Sequence, residues 1–155
     1  MQRLEKTVSE IVLDRAVPTM LPSQTVAAAV DVMREQQCDG VVVMRGGALV
    51  GIFTGRDFLE RVAAETRDPE ATLLADVMTT TPESLRAVDC ISYAINRMGV
   101  RGYRNLPIVD DGGRPIALMS AHDVIEHLTD VLAELVVAPD ENGPAAKWLD
   151  IGGGG

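Results

Sequence analysis

A short stretch that occurs twice places the strongest constraint on what this chain can fold into. Residues 51–57 read GIFTGRD, and residues 117–123 read ALMSAHD. Each copy runs from apolar, strand-like residues into a small hydroxyl residue, and an aspartate follows three positions later. The hydroxyl residues of the two copies are 66 positions apart, and so are the two aspartates. Self-similarity of this kind marks a repeated structural unit, so two related halves are predicted.

Composition and charge narrow the class of protein. The chain has 155 residues, of which 46% are hydrophobic, enough for one compact domain or for two small repeats that share a core. Its formal net charge of −9 would repel nucleic acids and anionic membranes, so neither is an expected partner. Cys38 and Cys90 form no disulfide framework or metal-ligand spacing. With no signal-peptide pattern and no apolar stretch of about 20 residues, a cytoplasmic protein is expected.

Hydrophobic periodicity and turn residues divide the chain into segments. Each half reads as strand, helix, strand, strand, helix, with a glycine or aspartate–glycine turn between the second and third strands. Residues 77–79 are predicted to correspond in the second half to the extended residues 19–21 in the first. The predicted organisation is an N-terminal helix at 1–15, a first repeat at 16–65, a connector at 66–72, a second repeat at 73–137, and a flexible tail at 138–155 that includes Trp148.

The fold class expected from this order is α/β (α+β), with two β-α-β-β-α repeats packed in pseudo-twofold symmetry. A unit of about 60 residues buries little core alone, so the two repeats are expected to pack together. The crevice between them would lie at the ends of their strands. The duplicated hydroxyl and aspartate residues are therefore expected to face this crevice.

The duplicated motif, together with NLPIVD at residues 105–110, resembles a tandem pair of CBS domains, also called a Bateman module. The resemblance covers roughly residues 16–137. It implies clefts that in many members bind adenosine-containing ligands such as AMP, ADP, ATP or S-adenosylmethionine. It also implies a ligand-sensing or partner-regulating role, with an effector protein still to be identified, and a homodimer built from two pairs. An enzymatic activity and a required cofactor are not expected.

The residue chemistry agrees with a nucleotide site. A carboxylate at a helix start can accept hydrogen bonds from both hydroxyls of a ribose, and backbone N–H groups there favour phosphate. Arginine and protonated histidine can also contact phosphate. In CBS-domain proteins, which this sequence resembles, basic residues just before the second strand also reach phosphates. The apolar strands of this chain would form the floor that takes the adenine ring. The residues expected to bind the ligand are Thr54, Arg56, Asp57, Arg104, Ser120, His122, Asp123, Val42 and Ile108.

The two clefts are not expected to be equivalent. Arg104 precedes the second strand of the second half, whereas Asp39 stands at the corresponding place in the first half. An acidic side chain near phosphate is repulsive. One good nucleotide cleft is therefore predicted, which combines Thr54, Asp57 and their neighbour Arg56 with Arg104. The cleft of Ser120 and Asp123 is expected to be weaker, empty or selective for a less charged ligand.

Other interpretations stay open. An aspartate three residues after a threonine or serine is also a helix-capping pattern, and capping can coexist with ligand binding. A structural adaptor with degenerate clefts is the alternative to a sensor. The third interpretation is an enzyme that uses Cys38 or the pair His122 and Asp123. The sequence does not support it, because the two histidines are too close in sequence to complete a set of nucleophile, base and orienting group. His122 and His127 are five residues apart, which suggests no metal pair. Replacing Asp57 with alanine is expected to abolish ribose-dependent binding and leave the fold intact.

Overall fold

The computed structural model describes residues 6–12 and 16–137, so the predicted tail with Trp148 lies outside the described part. The first half contains α1 (Ser9–Val12), β1 (Thr19–Met20), α2 (Val26–Glu35), β2 (Gly40–Arg45), β3 (Ala48–Thr54) and α3 (Gly55–Asp57), which continues as a π-helical segment (Phe58–Ala63). The second half contains α4 (Leu74–Val77), β4 (Thr79–Thr80), β5 (Leu85–Arg86), α5 (Ile91–Arg101), β6 (Asn105–Val109), β7 (Pro115–Ser120) and α6 (Ala121–Val137).

The strands form two sheets with the same internal arrangement. In the first sheet, β1 runs parallel to β2, and β2 forms an antiparallel hairpin with β3. In the second, β5 runs parallel to β6, which forms a hairpin with β7. Gly46 and Gly47 turn the first hairpin with φ of 59° and 84°, the left-handed values that a tight hairpin turn requires. The predicted mixed α/β fold of two strand–helix–strand–strand–helix units is confirmed.

The strand predicted at residues 77–79 is assigned wrongly in the sequence interpretation. Leu85 pairs with Ile108 as Met20 pairs with Val43, so β5 is the counterpart of β1. The earlier strand β4 instead crosses to the first sheet and pairs antiparallel with β3. The first sheet therefore has the order β1-β2-β3-β4, and the second has the order β5-β6-β7.

The crossing strand lies so close to β3 that a side chain at Gly51 would force its neighbours to shift. A Cβ atom built at this position would collide with the side-chain sulfur of Met78 and would lie 3.1 Å from the carbonyl oxygen of Thr79. The backbone oxygen cannot move aside independently of β4. Gly51 therefore permits the approach of a segment that belongs, in sequence, to the second half.

Each short helix that precedes a repeat packs against the other repeat. Leu74 and Val77 of α4 are fully buried in the core of the first repeat, beside Phe53. Val8 and Val12, at α1, are buried in the core of the second repeat. The backbone contacts are reciprocal as well, because Leu74 N–H donates to Gln24 O over 2.9 Å and Val8 N–H donates to Asp89 O over 2.8 Å. The two repeats thus complete each other.

The predicted N-terminal helix at 1–15 is described only in part, as α1. Residues 64–72, which include the predicted connector, contain turns without a regular helix or strand. The division into repeats at 16–65 and 73–137 stays a prediction, because secondary-structure elements alone do not set domain boundaries. Among residues 6–12 and 16–137, no helix has the length and apolar character that a membrane crossing requires.

Candidate functional site

A cavity of about 840 Å³ opens where the first hairpin ends, and residues of both halves line it. The strand–helix junction of the first half provides Thr54, Arg56 and Asp57. The segment that leads into β6 provides Arg104. Its other lining residues are Asp39, Ile52, Gly55, Leu59, Glu60, Arg61, Thr79, Thr80, Thr81, Pro82, Glu83, Gly102, Tyr103, Asn105 and Leu106. Four residues expected to bind a ligand in one cleft are therefore brought together in one cavity.

Asp57 lines this cavity and is only 6% exposed. Its Oδ2 atom accepts hydrogen bonds from the backbone N–H of Thr54 at 2.9 Å and from the Thr54 hydroxyl at 3.0 Å. Its Oδ1 atom accepts a hydrogen bond from the hydroxyl of Thr79 at 2.8 Å. Thr54 and Asp57 form a capping box at the start of α3. The helix-capping interpretation of the motif is thus realised in the structure.

Arg61 links Asp57 to the segment that crosses between the halves. Its Nη1 atom donates to the carbonyl oxygens of Val77 at 3.0 Å and Met78 at 2.7 Å. The same atom lies 3.5 Å from Asp57 Oδ1. One arginine of the cavity is therefore engaged by backbone carbonyls and a carboxylate, which reduces its availability for phosphate.

The remaining arginines of the cavity, Arg56 and Arg104, are exposed. Neither guanidinium group has a hydrogen-bonding or ionic partner among the described residues. Arginine presents a planar array of donors that matches phosphate oxygens. The acidic side chains of Asp39 and Glu60 line the same cavity, which limits its positive potential. The arrangement favours an anion of modest charge over a large polyanion.

Asp39 changes the expected difference between the two clefts. The sequence interpretation places it near the cleft of the second repeat, where it would oppose phosphate. In the structure it lines the cavity of Arg104 itself, and its carbonyl oxygen accepts a hydrogen bond from Gly55 N–H at 3.0 Å. Arg104 makes the corresponding contact in the other half, because its carbonyl accepts from Ala121 N–H at 2.7 Å. Asp39 therefore provides no argument for a weaker second cleft.

The second copy of the motif repeats the capping geometry away from this cavity. Asp123 is 2% exposed, and its Oδ2 atom accepts from the backbone N–H of Ser120 at 2.6 Å and from the Ser120 hydroxyl at 2.9 Å. His122 is exposed, with its Nε2 atom 3.3 Å from a carboxylate oxygen of Glu126 one turn along α6. The cavity around Asp57 is not lined by Ser120, His122 or Asp123. A ligand-binding role for them stays a prediction.

The structure does not bring Val42 and Ile108 to the cavity. Both side chains are fully buried, and the apolar lining comes from Ile52, Leu59, Pro82 and Leu106 instead. Ile108 lies two positions after Leu106 and so on the same face of β6, but farther from the strand end that borders the cavity. Val42 pairs with Ile52 but lies in an inner strand, covered between β1 and β3. A continuous apolar run predicts a buried strand without indicating which of its positions a cavity reaches.

Two residues of the candidate site, Arg61 and Thr79, are absent from the sequence interpretation. Arg61 lies four residues after Asp57, which is one helical turn, so this spacing was available as a signal. Thr79 had no such signal, because residues 77–79 resemble a strand of the second repeat. Its contact with Asp57 spans 22 positions and depends on the crossing of β4.

The described part of the chain provides no metal centre, and its Cys38 thiol is not activated. In residues 6–12 and 16–137, no three His, Cys, Asp or Glu side chains are placed to hold a metal ion. Burial raises the pKa of the Cys38 thiol, which donates a hydrogen bond to the Gly40 carbonyl at 3.3 Å. A raised pKa disfavours the thiolate, the form that acts as a nucleophile.

Comparisons with known proteins agree with the duplicated fold. The family model described as "CBS domain" matches residues 8–64 and again residues 74–130. A CBS domain-containing protein of Arabidopsis thaliana, CBSCBSPB3, is 34% identical over 110 residues, which cover 70% of this chain but only 20% of that protein. Two solved structures share the fold. A protein with CBS domains from Burkholderia ambifaria has a TM-score of 0.73 and 25% identity, with 83% of this chain and 96% of the other covered. CBSX2, solved in complex with AMP, has a TM-score of 0.68 and 21% identity, and the alignment covers 81% of this chain and 98% of CBSX2.

Proposed function

This chain belongs to the CBS-domain family, and on that premise we propose that it is a regulatory sensor module for an adenosine-containing ligand such as AMP, ADP or ATP. The ligand would bind in the cavity lined by Thr54, Arg56, Asp57 and Arg104. Occupancy would then alter a homodimer interface or the affinity for an effector protein. Such a response requires that the ligand bind one of two states more tightly.

The convergence of these four side chains carries the proposal. They provide a hydroxyl, a carboxylate and two guanidinium groups, and they line one cavity although Arg104 is 47 positions from Asp57 in sequence. The cavity volume of about 840 Å³ lies within the range typical of small-molecule sites. The structural neighbour CBSX2 was solved with AMP, which supports adenine nucleotides as the first ligands to test.

The position of each group suggests its part in binding. Asp57 would accept a hydrogen bond from the ribose, while Arg56 and Arg104 would bind phosphate at the open side of the cavity. Ile52 and Leu106 would contact the adenine ring. Asp39 and Glu60 would oppose additional negative charge, so affinity is expected to fall as phosphates are added beyond what two arginines can neutralise.

Arg104→Ala tests the phosphate contact. The variant is expected to bind AMP roughly tenfold more weakly, because a charge-assisted hydrogen bond is lost at an exposed site. Adenosine, which has no phosphate, should bind both forms equally. Isothermal titration of AMP and adenosine measures both effects. Arg101→Ala is the matched control, since Arg101 is exposed at the end of α5 and does not line the cavity. An equal loss for adenosine would remove the phosphate assignment.

The dimer part of the proposal rests on exposed apolar side chains. Leu59 is 64% exposed and Ile125, its counterpart in the second half, is 59% exposed. Tyr93 and Val100 of α5 are exposed as well, at 57% and 74%. Apolar side chains at matching positions of two repeats are consistent with a symmetric association of two chains. Light scattering during size-exclusion chromatography, with and without AMP, measures the association state.

A structural adaptor is the second candidate, because both aspartates of the repeated motif are already used inside the protein. Asp57 and Asp123 each accept hydrogen bonds from the hydroxyl residue that caps the following helix. A thermal-shift panel of AMP, ADP, ATP and S-adenosylmethionine separates the two functions. A ligand at one hundred times its dissociation constant stabilises the native state by about 2.7 kcal/mol, which raises the melting temperature by about 5–10 °C. No shift with any ligand would favour the adaptor.

A further inference from the structure

The crossing segment of residues 77–82 is attached to the candidate site by side chains, in addition to its pairing with β3. Thr79 Oγ1 donates to Asp57 Oδ1 at 2.8 Å. Arg61, which lies beside the same oxygen, holds the carbonyls of Val77 and Met78. Further along, Glu83 forms an ion pair of 2.6 Å with Arg97 of α5. The segment therefore connects the carboxylate of the first repeat to a helix of the second.

The hydrogen-bonding capacity of Asp57 leaves little room for a ribose. A carboxylate offers about four acceptor positions. Thr54 occupies two of them on Oδ2, through its N–H and its hydroxyl, and Thr79 occupies one on Oδ1. Arg61 faces the remaining position at 3.5 Å. A vicinal diol, which donates two hydrogen bonds, cannot bind to this carboxylate unless an existing partner is displaced.

Of the two residues that donate hydrogen bonds to Asp57, Thr79 is held more weakly in place than Thr54. The contacts of Thr54 belong to the capping box and satisfy the first N–H groups of α3, so their loss would disturb the helix start. Thr79 lies in β4, a strand of two residues at the edge of the sheet. Short edge pairings open at low free-energy cost.

The backbone next to Thr79 is also strained. Thr81 has a φ of 47°, although it is β-branched and precedes Pro82, and both features disfavour that conformation. Strain of this kind is relieved when the segment detaches. A 3.3 Å hydrogen bond from Thr81 N–H to Val50 O helps to hold the strained residue against β3.

We propose that a ribose hydroxyl replaces the Thr79 hydroxyl on Asp57 and that this exchange releases the crossing segment from β3. The inference rests on the proposed function, since it concerns the same ligand and the same carboxylate. Thr79 then acts as an internal competitor that sets the affinity for ribose. The released segment changes the position of Glu83, and through its ion pair with Arg97 it shifts the exposed face of α5 that carries Tyr93 and Val100.

Hydrogen exchange of the intact protein, with AMP as the probe, tests the release. Amides of residues 79–81 are expected to exchange at least about tenfold faster at saturating AMP, while those of the hairpin β6–β7 stay unchanged. The analogue 2′,3′-dideoxy-AMP lacks both hydroxyls and should bind without this acceleration. Unchanged or slower exchange with AMP bound would overturn the inference and leave the proposed function standing. If isothermal titration detects no binding of AMP, ADP or ATP, both are overturned.

Variants of Thr79 test the competition directly. Thr79→Val removes the hydroxyl and nearly keeps the shape, so AMP should bind roughly five- to tenfold more tightly because nothing has to be displaced. Thr79→Ser keeps the hydroxyl and should bind AMP as the unmodified protein does. Weaker binding by Thr79→Val with normal binding by Thr79→Ser would make Thr79 a ligand contact and overturn the inference. If the valine variant does not fold, the exchange experiment on the unmodified protein decides.

Discussion

Leu74→Ala is expected to lower the free energy of unfolding by about 3 kcal/mol, within the range for a fully buried leucine. The side chain is completely buried, although it precedes the strands of the second repeat. Its neighbours in the core are Met20, Val26 and Phe53 of the first repeat. Urea denaturation gives the magnitude. Hydrogen exchange should show that the loss of protection is concentrated in β2 and β3, in the first half of the chain.

Val8→Ala is the matched substitution for the second repeat, because Val8 precedes the first repeat in sequence but is buried in the core of the second. Val8 is also fully buried, and it packs in the core of the second repeat against residues such as Ile91 and Leu106. This variant should cost about 2 kcal/mol, less than the leucine variant because fewer carbon atoms are removed. Its loss of protection should be concentrated in β6 and β7. If each substitution loosened the repeat that it adjoins in sequence, the reciprocal packing of the two halves would be contradicted.

The duplication and the order of elements within each repeat could be predicted from the sequence because they leave local signals. The apolar run of β2, the turn at Gly46 and Gly47, and the return strand β3 all lie within residues 40–54. Hairpins depend on short-range turn chemistry, and strands buried on both faces are apolar throughout. The repeat of the same order at a spacing of 66 positions added a second, independent reading of each element.

The packing of α1 and α4, each against the repeat that it does not adjoin in sequence, leaves no local signal in the sequence. Residues 74–80 contain apolar and β-branched side chains that suit either a helix or a strand, and nothing in them reports which sheet they join. The structure divides them between α4, which packs into the first core, and β4, which pairs with β3. Gly51 was the one trace of this approach in the sequence, but a glycine in a strand indicates a close neighbour without identifying it.

The candidate site shows the same division. Thr54 and Asp57 could be predicted because the motif is short and occurs twice, and Arg104 was expected from the family resemblance, in which basic residues before the second strand reach phosphate. Val42 was expected at the cavity and is not there, because an apolar strand does not reveal which of its positions lies beside a cavity and which is covered by neighbouring strands. Thr79 was missed because its hydrogen bond to Asp57 exists only after β4 has crossed to the first sheet.

Asp57→Ala is expected to reduce AMP affinity by more than about a hundredfold and to lower the free energy of unfolding by about 2–3 kcal/mol. The sequence alone suggested that the fold would be left intact. The structure argues against that part, because the carboxylate is buried and accepts hydrogen bonds from the Thr54 N–H and from the Thr54 and Thr79 hydroxyls. Removing it leaves these donors without a partner and ends the contact between α3 and β4.

Two measurements separate the loss of binding from the loss of stability. Circular dichroism establishes a temperature at which the variant is folded, and isothermal titration with AMP is then made at that temperature. Asp123→Ala is the matched control, since it removes a buried capping carboxylate of the same kind that does not line the cavity. It should also destabilise the protein, while AMP affinity in the cavity of Arg104 stays within about twofold. Unreduced AMP affinity in a folded Asp57→Ala variant would show that the carboxylate only caps α3. Removing a group that hydrogen-bonds the ribose must lower the affinity for AMP.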